Sequence, residues 1–492
     1  MKNIFHLSII LTFLLIFSSC EDILTENPKD FLTPESFPKT EKDAIAATNA
    51  AYSRLYSGPR DLYACFVPSD ITFQGYHNKR PLTWFTGLDP LNGDSNSLWK
   101  GHFEGISRCN TVIDLVPKVE MNESTRARLV GEAKYLRAWY YFKMVQLYGG
   151  VPIVDGVLSG PDELEGITRA TVEQVYTLIE QDLNDAIDVL PDAYSSDELG
   201  RATKWAAIGL LGMVHLTQEE WGPANDLFKQ IIASGQFGLY ADYNKNFGVE
   251  NEHKLFPDKD GNLVNENIWD VQFTYDERGH TVTQQSGSRD VEVGGTVNHY
   301  GGYENMLPTE VFETYFEEGD TRKEISYIKQ IGDNVLESPR TPGAGPISGK
   351  YHNPGQQSPT PGNSPNNINF IRYANVLLMQ AEAENELNGP GNAYTSINLV
   401  RERAGVSLLS GLSQDEMRQA IRKERALELS FEGFRRLDLL RWGIFVETIR
   451  NSTSQFMQDQ AAAIQDHHNL LPVPNNEVEA SKVTESAFSI PL

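Results

Sequence analysis

The sequence is poor in cysteine and in basic residues, and each shortage excludes a class of protein. Its 492 residues contain 3 cysteines, 42 Lys and Arg, and 67 Asp and Glu, so the formal net charge at pH 7 is −25. Nucleic-acid-binding proteins and proteins of anionic surfaces depend on clustered Lys and Arg, which this balance argues against. The cysteines are too few for a disulfide-based fold. A chain of this length can instead bury a large hydrophobic core.

Long apolar runs are also scarce, and the most prominent one lies at the N-terminus. Apolar residues dominate from Ile4 to Phe17, behind Lys2 and shortly before Cys20. The run has the length of the central region of a signal peptide and is too short for a transmembrane helix. Small residues followed by a cysteine are typical of lipoprotein signals. We therefore predict a signal peptide over residues 1–19 and a lipidated Cys20, with a simple secretory peptide as the alternative.

The chain turns acidic and polar directly after this cysteine, as expected of an exposed tether over residues 20–40. Fatty acyl chains such as palmitate on Cys20 would anchor this end to a membrane, because each buried methylene adds about 0.8 kcal/mol. The rest of the chain would then stand in water.

Two further cysteines remain, Cys65 and Cys109. In an oxidising compartment they could form one bridge, and otherwise they stay free thiols. The sequence leaves both alternatives open.

Helical periodicity dominates two neighbouring stretches. Residues 125–148 place apolar side chains on one helical face, and Gly149 with Gly150 predicts the end of that helix. Residues 171–190 repeat the pattern and stop before Pro191. We predict that these two helices form a pair.

An internal repeat appears when residues 205–231 are aligned with residues 374–400. Gly212 then matches Ala381, and twelve positions later Ala224 matches another alanine. Small residues at these positions let two antiparallel helices approach closely, as in a tetratricopeptide hairpin. We therefore predict a mainly α fold built on a scaffold of tetratricopeptide-like helical hairpins.

Two other regions lack this periodicity. Residues 60–100, most clearly 66–99, are irregular and aromatic, and residues 237–365 are rich in turn-forming residues. The segment Ile268–Phe273 alternates like a short strand. We predict that both regions are irregular excursions from the scaffold, that they form one face, and that they carry function.

The order and spacing of several motifs resemble the SusD/RagB-like nutrient-binding lipoproteins of Gram-negative outer membranes. The resemblance covers nearly the whole chain after residue 19. The motifs are Glu132–Phe142, Leu147–Pro152, Gly200–Lys204, Ile371–Ala383, Val400–Gly405, Glu424–Leu429, Glu432–Arg436 and Leu439–Gly443.

This resemblance implies one SusD-like domain over residues 41–492, on a surface-exposed lipoprotein of the outer membrane. It implies a lid on a SusC-like TonB-dependent transporter that binds oligosaccharides, or alternatively peptides, and delivers them for import. It implies binding without catalysis and without a cofactor. A helical-repeat adaptor that recognises only proteins is a further alternative, against which the two aromatic-rich irregular regions count.

Three glutamates raise the alternative of a lipid-anchored glycoside hydrolase. Such an enzyme needs two carboxyl groups about 5–10 Å apart across the scissile bond. Glu424, Glu428 and Glu432 lie four residues apart, but Arg425 and Arg436 are spaced to pair with them on a helix surface. We therefore predict surface ion pairs. The sequence also contains no nucleophile elbow or phosphate loop, and we predict that the protein is not an enzyme.

Other residues with possible chemistry have a structural interpretation. Trp139, Trp205 and Trp442 lie within or beside apolar helical patterns, and we predict that they pack in the core. We predict the same for His215, rather than a role as metal ligand. No pair of ligands at zinc spacing accompanies His467, so we assign no metal.

Sugar recognition needs flat aromatic rings for the apolar faces of the sugar, together with polar groups for its hydroxyls. Loop aromatics and their polar neighbours in the two irregular regions meet this need best, although each of them could instead be an anchor buried against the scaffold. The predicted ligand-binding residues are Tyr76, Lys79, Arg80, Trp84 and Phe85 in the first region, and Tyr275, Asn298, Tyr300 and Tyr303 in the second.

Overall fold

The structure is a computed structural model, and it describes most of the chain. The described residues are 37–57, 67–75, 79–158, 167–274, 278–286, 292–293, 296–297, 303–331, 334–335, 346–351 and 363–480. The predicted signal peptide, Cys20 and Cys65 lie outside these ranges, so the predictions made for them stay predictions. Across the described ranges, no helix is both long and apolar enough to span a membrane.

Helices dominate the fold, and the strands are short. The α-helices are α1 Glu41–Tyr52, α2 Pro81–Trp84, α3 Gly93–Leu115, α4 Glu123–Tyr148, α5 Val172–Val189, α6 Lys204–Thr217, α7 Trp221–Ala233, α8 Val282–Ser286, α9 Glu310–Glu313, α10 Lys323–Ser326, α11 Tyr373–Asn388, α12 Pro390–Ala404, α13 Gln414–Glu428, α14 Arg435–Arg441, α15 Phe445–Arg450, α16 Gln458–Ala463 and α17 Asn475–Ala480. The strands are β1 Thr72–Phe73, β2 Phe256–Pro257, β3 Leu263–Val264, β4 Asn267–Val271, β5 Glu292–Val293, β6 Thr296–Val297, β7 Leu307–Pro308, β8 Gln330–Ile331, β9 Asn334–Val335 and β10 Ile368–Arg372.

Consecutive long helices pack side by side into the predicted scaffold. α4 lies between α3 and α5, α5 packs on α6, and α6 packs on α7. α7 then contacts α11, which also packs on α12 and α13. The side chains of Asn122, Thr171 and Thr203 cap α4, α5 and α6 by accepting an N–H of the first turn.

The two repeat units predicted from the sequence are helical hairpins, α6 with α7 and α11 with α12. Gly212 of α6 faces Phe228 of α7, and a Cβ at this glycine would lie 2.5 Å from the phenyl ring. The small residue is therefore what allows the two helices to approach closely, as predicted.

α4 is buried almost all round, which its single predicted apolar face does not suggest. It is covered by α3 on one side and α5 on the other, and its Trp139 packs against Trp269 and Phe370 of the irregular region. Even Arg137 is buried, with Nε 2.7 Å from Asp182 Oδ2 of α5. Burial of a charge is tolerated here because the partner is in direct contact.

Two elements of regular structure lie in the irregular regions. The helix α3 begins earlier than expected, and the strand β4 was predicted. The region predicted to be irregular up to residue 100 already becomes helical at Gly93, because the side chain of Asn92 caps α3 through the Ser95 N–H. The predicted strand Ile268–Phe273 corresponds to β4, which pairs antiparallel with β10.

The three glutamates predicted on a helix surface are buried, so their predicted location is wrong. α13 ends at Glu428, and this end is enclosed by other segments instead of facing solvent. Arg322 Nη1 lies 2.6 Å from Glu424 Oε1, and Arg372 Nε lies 2.7 Å from Glu432 Oε2. The glutamates therefore pair with arginines distant in sequence, and they have no access to solvent for catalysis.

The remaining structural predictions have mixed outcomes. Trp139 is buried, and Trp205 and Trp442 are half-buried against the core, as predicted. His215 is not a core residue, because the turn after α6 brings Glu220 to it, with Nδ1 2.5 Å from the carboxylate Oε2. Within the described part of the chain, Cys109 is a buried free thiol, and burial raises its pKa.

Candidate functional site

The two irregular regions meet at one place, as the sequence predicts. β1 pairs antiparallel with β7, with Phe73 opposite Leu307, and the Gly75 N–H donates to the Glu304 carbonyl at 2.7 Å. A Cβ at position 75 would lie 2.9 Å from that carbonyl oxygen, so a glycine is required for this contact. We call the surface at the end of this ladder the junction face; its residues are Gln74, Gly75, Lys79, Arg80, Gln285, Tyr303, Glu304 and Asn305.

A separate apolar cluster supports the junction face from below. Phe73 and Leu307 of the ladder pack with Phe445 and Ile449 of α15. Phe73 also lies against Phe456, with 5.0 Å between ring centroids. The face is therefore built on rigid packing although it consists mainly of loops.

Side-chain amides connect the two halves of the junction face. The Gln74 amide Nε2 donates to Asn305 Oδ1 at 2.8 Å, and Asn305 Nδ2 donates to Gln285 Oε1 at 2.5 Å. Gln74 Oε1 accepts from the Arg80 N–H at 3.2 Å and from the Thr83 hydroxyl. Each amide holds the next in a defined orientation, and because Gln74 and Asn305 are themselves buried, these amides fix the loops that carry the exposed side chains.

Two cationic side chains project from the first half of the face. Lys79 Nζ lies 4.3 Å from the centre of the Trp84 ring and 3.6 Å from Asp459 Oδ2, and its side chain is exposed. Arg80 is partly exposed, with Nη1 3.3 Å from Asp94 Oδ1. Contacts of this kind at a surface contribute at most about 1 kcal/mol each, so a ligand can compete for both side chains.

Trp84 and Phe85 are interior residues, only 3% and 4% exposed. Phe85 ends the single turn α2 in a left-handed conformation, with φ of 58°, and its ring stacks on His468 at 5.1 Å. Phe85 thus belongs to the apolar cluster, and Trp84 is equally buried although it lies outside that cluster. Of the two interpretations open for these residues in the sequence, the structure favours the buried anchor over the sugar-stacking role.

Tyr303 is the exposed aromatic side chain in the described part of this face. It is 45% exposed, and its backbone N–H donates to the Gln284 carbonyl at 2.7 Å. Its ring can therefore offer a flat apolar surface from a fixed backbone. The other predicted aromatic and amide residues, Tyr76, Tyr275, Asn298 and Tyr300, lie outside the described residues.

Sequence reasoning missed the amide residues Gln74, Gln285 and Asn305. Gln74 follows the very short strand β1 and Asn305 lies just before β7, whereas Gln285 lies in the short helix α8 and has no such signal. Because strands of two residues carry almost no alternation, the pairing of β1 with β7 could not be read from the pattern.

A possible metal cluster exists in the described part of the chain, away from the junction face. Glu180 of α5, His215 of α6 and Glu220 before α7 bring their ligand atoms within 4.8 Å of one another. Gln218 Nε2 already donates to Glu180 Oε1 at 2.7 Å. We interpret the group as ion pairs and hydrogen bonds between scaffold helices.

Comparison with known proteins identifies the family. The sequence model described as the SusD family matches residues 234–485, which is about half of the chain, and a second model, described as starch-binding associating with outer membrane, matches residues 73–216. The chain belongs to the SusD family. The resemblance recognised in the motifs is thereby confirmed.

SusD-like relatives match the chain from end to end. The SusD-like protein P25 of Formosa agariphila is 27% identical over 97% of this chain and 97% of its own length. A solved structure, titled a laminarin-binding SusD-like protein, is 24% identical with a TM-score of 0.73 over 91% of this chain and 99% of that chain. Surface glycan-binding protein A from Bacteroides thetaiotaomicron, in complex with laminarihexaose, is 24% identical with a TM-score of 0.75, over 90% of this chain and 98% of that chain. These similarities confirm the predicted fold class.

Proposed function

We propose that this SusD-family protein is a lipid-anchored surface protein that binds oligosaccharides at the junction face and delivers them to a TonB-dependent transporter. The main support for the proposal is the junction face, together with the membership of this chain in the SusD family. There an exposed tyrosine, an exposed lysine and a partly exposed arginine stand on loops that buried amides hold in place. Tyr303 would stack on a sugar ring, while Lys79 and Arg80 would donate to its hydroxyls.

Similar proteins support a glycan as the ligand. Two structures of the same fold are described as binding laminarin or laminarihexaose. Because their identity to this chain is 24%, they support the ligand class and leave the particular glycan open. Laminarihexaose is therefore the first probe to use.

The location and the anchor have separate support. The second family model is described as associating with the outer membrane, and the N-terminal residues have the pattern of a lipoprotein signal. In our proposal Cys20 carries the lipid, residues 20–40 form the tether, and residues 41–492 form one SusD-like domain. The transporter partner rests on the family resemblance.

The structure argues against the alternative that the protein is a lipid-anchored glycoside hydrolase. The glutamates that suggested it, Glu424, Glu428 and Glu432, are buried in ion pairs and cannot reach a scissile bond. We therefore propose capture and transfer of the ligand without chemical change.

The ligand part of the proposal is tested by titration of the protein starting at Glu21. Laminarihexaose and a panel of neutral and acidic oligosaccharides would be added, and reducing ends measured in the same mixtures. We expect saturable binding without new reducing ends. Tyr303→Ala should weaken binding about tenfold or more, while Leu387→Ala, an exposed apolar residue elsewhere, should not change it. New reducing ends, or binding of none of the panel, would refute the proposal.

The transporter part is tested in membranes. The full-length protein should copurify with a large outer-membrane barrel after detergent extraction. Cys20→Ser should release the protein from the membrane fraction, which checks the anchor. Repeated recovery of the lipoprotein alone would refute the transporter partnership but would not affect the ligand site.

A further inference from the structure

A second concavity lies on another side of the irregular region, beside the helical scaffold. Its volume is about 470 Å³, within the range of about 300–1,000 Å³ typical of small-molecule sites. It is bounded by the connection from α5 to α6, the segment after α7, and β4. We call it the β4 cavity and define it by Tyr194, Leu199, Phe237, Leu255, Asn267 and Asp270. Among the described residues, it shares none with the junction face.

The floor of the β4 cavity contains a polar atom that lacks a hydrogen-bond donor. Asn267 Oδ1 is buried and has no partner in the described part of the chain, although the Asn267 N–H donates to Asn265 Oδ1 at 3.1 Å. An amide oxygen that lacks a donor is unfavourable, and a ligand hydroxyl is a group that would relieve it.

A carboxylate in a fixed orientation lies on the same strand. Asp270 Oδ1 accepts from Gln272 Nε2 at 2.7 Å, and Oδ2 accepts from Asn367 Nδ2 at 3.1 Å. Carboxylate oxygens can accept further hydrogen bonds. The floor is therefore rich in acceptors, which suits the hydroxyl groups of a sugar.

The mouth of the cavity is apolar. Leu199 and Leu255 come from different segments and are 43% and 55% exposed. The half-buried rings of Tyr194 and Phe237 continue this wall. Apolar walls above a polar floor match a sugar, which has an apolar C–H face and a hydroxyl-bearing edge.

The charges around the cavity favour a neutral ligand. Arg201 is turned to Glu132, with Nη1 2.8 Å from the carboxylate Oε2, so its charge is already paired. Lys254 shares the edge of the cavity with the carboxylates of Asp192 and Asp270. An anionic group would therefore meet carboxylates without a surplus of cations.

We propose that the β4 cavity is a second saccharide site, which takes one or two sugar rings of a neutral glycan. The inference rests on the proposed function only for the ligand class, because the two sites use different residues. Two sites on one protein would hold a long glycan at two points, and the second contact would then form at high effective concentration.

The test uses the protein starting at Glu21 with maltose, cellobiose, laminaribiose, mannobiose and xylobiose as separate probes. Binding would be measured by calorimetry, and crystals would be soaked with each disaccharide. We expect at least one disaccharide to bind in solution and to appear in the β4 cavity. Leu255→Trp, which fills the mouth, should weaken that binding at least tenfold. Tyr303→Ala should leave it unchanged, and so should Leu408→Trp, a matched exposed leucine that is 57% exposed.

The outcomes separate the two proposals. Disaccharide affinity that survives Leu255→Trp, or density at crystal concentration without affinity in solution, would overturn the second site. If Tyr303→Ala weakens binding of laminarihexaose or another panel glycan and no disaccharide binds, the junction face stands and the cavity inference falls. If no glycan binds anywhere, both fall.

Discussion

The helical scaffold and the irregular region both pack apolar side chains, but a network of buried charges joins the second to the first. In the scaffold, apolar faces and small residues let helices approach, as Gly212 does against Phe228. The irregular region is attached to the scaffold by buried charges. Arg372 of β10 reaches Glu266, Glu428 and Glu432 with nitrogen to oxygen distances of 2.6, 3.1 and 2.7 Å.

This difference shows how irregular loops can be held in one arrangement with little secondary structure. Apolar contacts are tolerant of small shifts, whereas a buried ion pair is favourable only when its hydrogen bonds are complete. A network of this kind can therefore hold irregular backbone in one arrangement. The comparison can be tested by breaking each kind of contact in turn.

The largest effect is expected for Arg372→Met. The variant leaves Glu266 and Glu432 buried without their main partner, which should lower the free energy of unfolding by about 3–5 kcal/mol. Urea unfolding of the protein starting at Glu21 measures this. Arg450→Met, which breaks the exposed pair with Asp466, should cost no more than about 1 kcal/mol. Similar losses in both variants would contradict the distinction.

Two aromatic substitutions distinguish a buried anchor residue from a ligand-binding residue. Trp84→Ala removes a buried ring and should cost about 3–5 kcal/mol in the free energy of unfolding. Tyr303→Ala removes an exposed ring and should change it by no more than about 0.5 kcal/mol. Thermal unfolding of both variants is the measurement, and equal melting temperatures would show that Trp84 is not an anchor.

His280 should make the irregular region sensitive to mild acid. The Val282 N–H donates to its Nδ1 at 3.1 Å and its Nε2 lies 2.8 Å from the Asn366 carbonyl, so the buried ring is neutral. Burial lowers its pKa to about 4, from an ordinary value of 6.5.

Between these two values the unfolded chain binds a proton that the folded chain does not. The free energy of unfolding should therefore fall as the pH drops from 6.5 to 4, by roughly 3 kcal/mol at most. His280→Gln should flatten this part of the pH profile. An unchanged slope in His280→Gln would refute the assignment.

The ionic network should fail only at lower pH. Burial alone would raise the pKa of Glu428, but Arg403, Arg372 and Arg322 lower it to about 2, from 4.5. Its contribution to stability is therefore present above pH 4.5 and is lost as the pH falls toward 2. Hydrogen exchange at pH 5 should accordingly find the region around His280 opening before the end of α13.

A smaller effect than that of Arg372→Met is expected inside the scaffold. Gly212→Ala places a methyl group against Phe228 and should cost about 1–3 kcal/mol through overpacking. Gly222→Ala, at the second residue of α7, meets no atom within 4 Å and should change the free energy of unfolding by no more than about 0.5 kcal/mol. A clear loss of stability for Gly212→Ala alone in urea unfolding would support close packing at Gly212, and equal effects would contradict it.

Much of the scaffold could be predicted from the sequence because its signals are local. Helical periodicity located α4 and α5 to within two residues, and the repeat located the hairpins α6 with α7 and α11 with α12. The motifs also identified the family. Each of these signals is contained within one or two turns of helix, so no knowledge of distant contacts was needed.

The tertiary structure alone decided which polar and aromatic residues face solvent. Glu428 and Glu432 look like surface residues by spacing, but the arginines that bury them come from segments far away in the chain. Trp84 is predicted as a loop residue whose ring binds a sugar, yet it lies in the interior. Burial and charge pairing depend on which segments meet in space, whereas periodicity reports only the local direction of a side chain. The sequence by itself therefore determined the scaffold, and only the assembled fold determined the junction face.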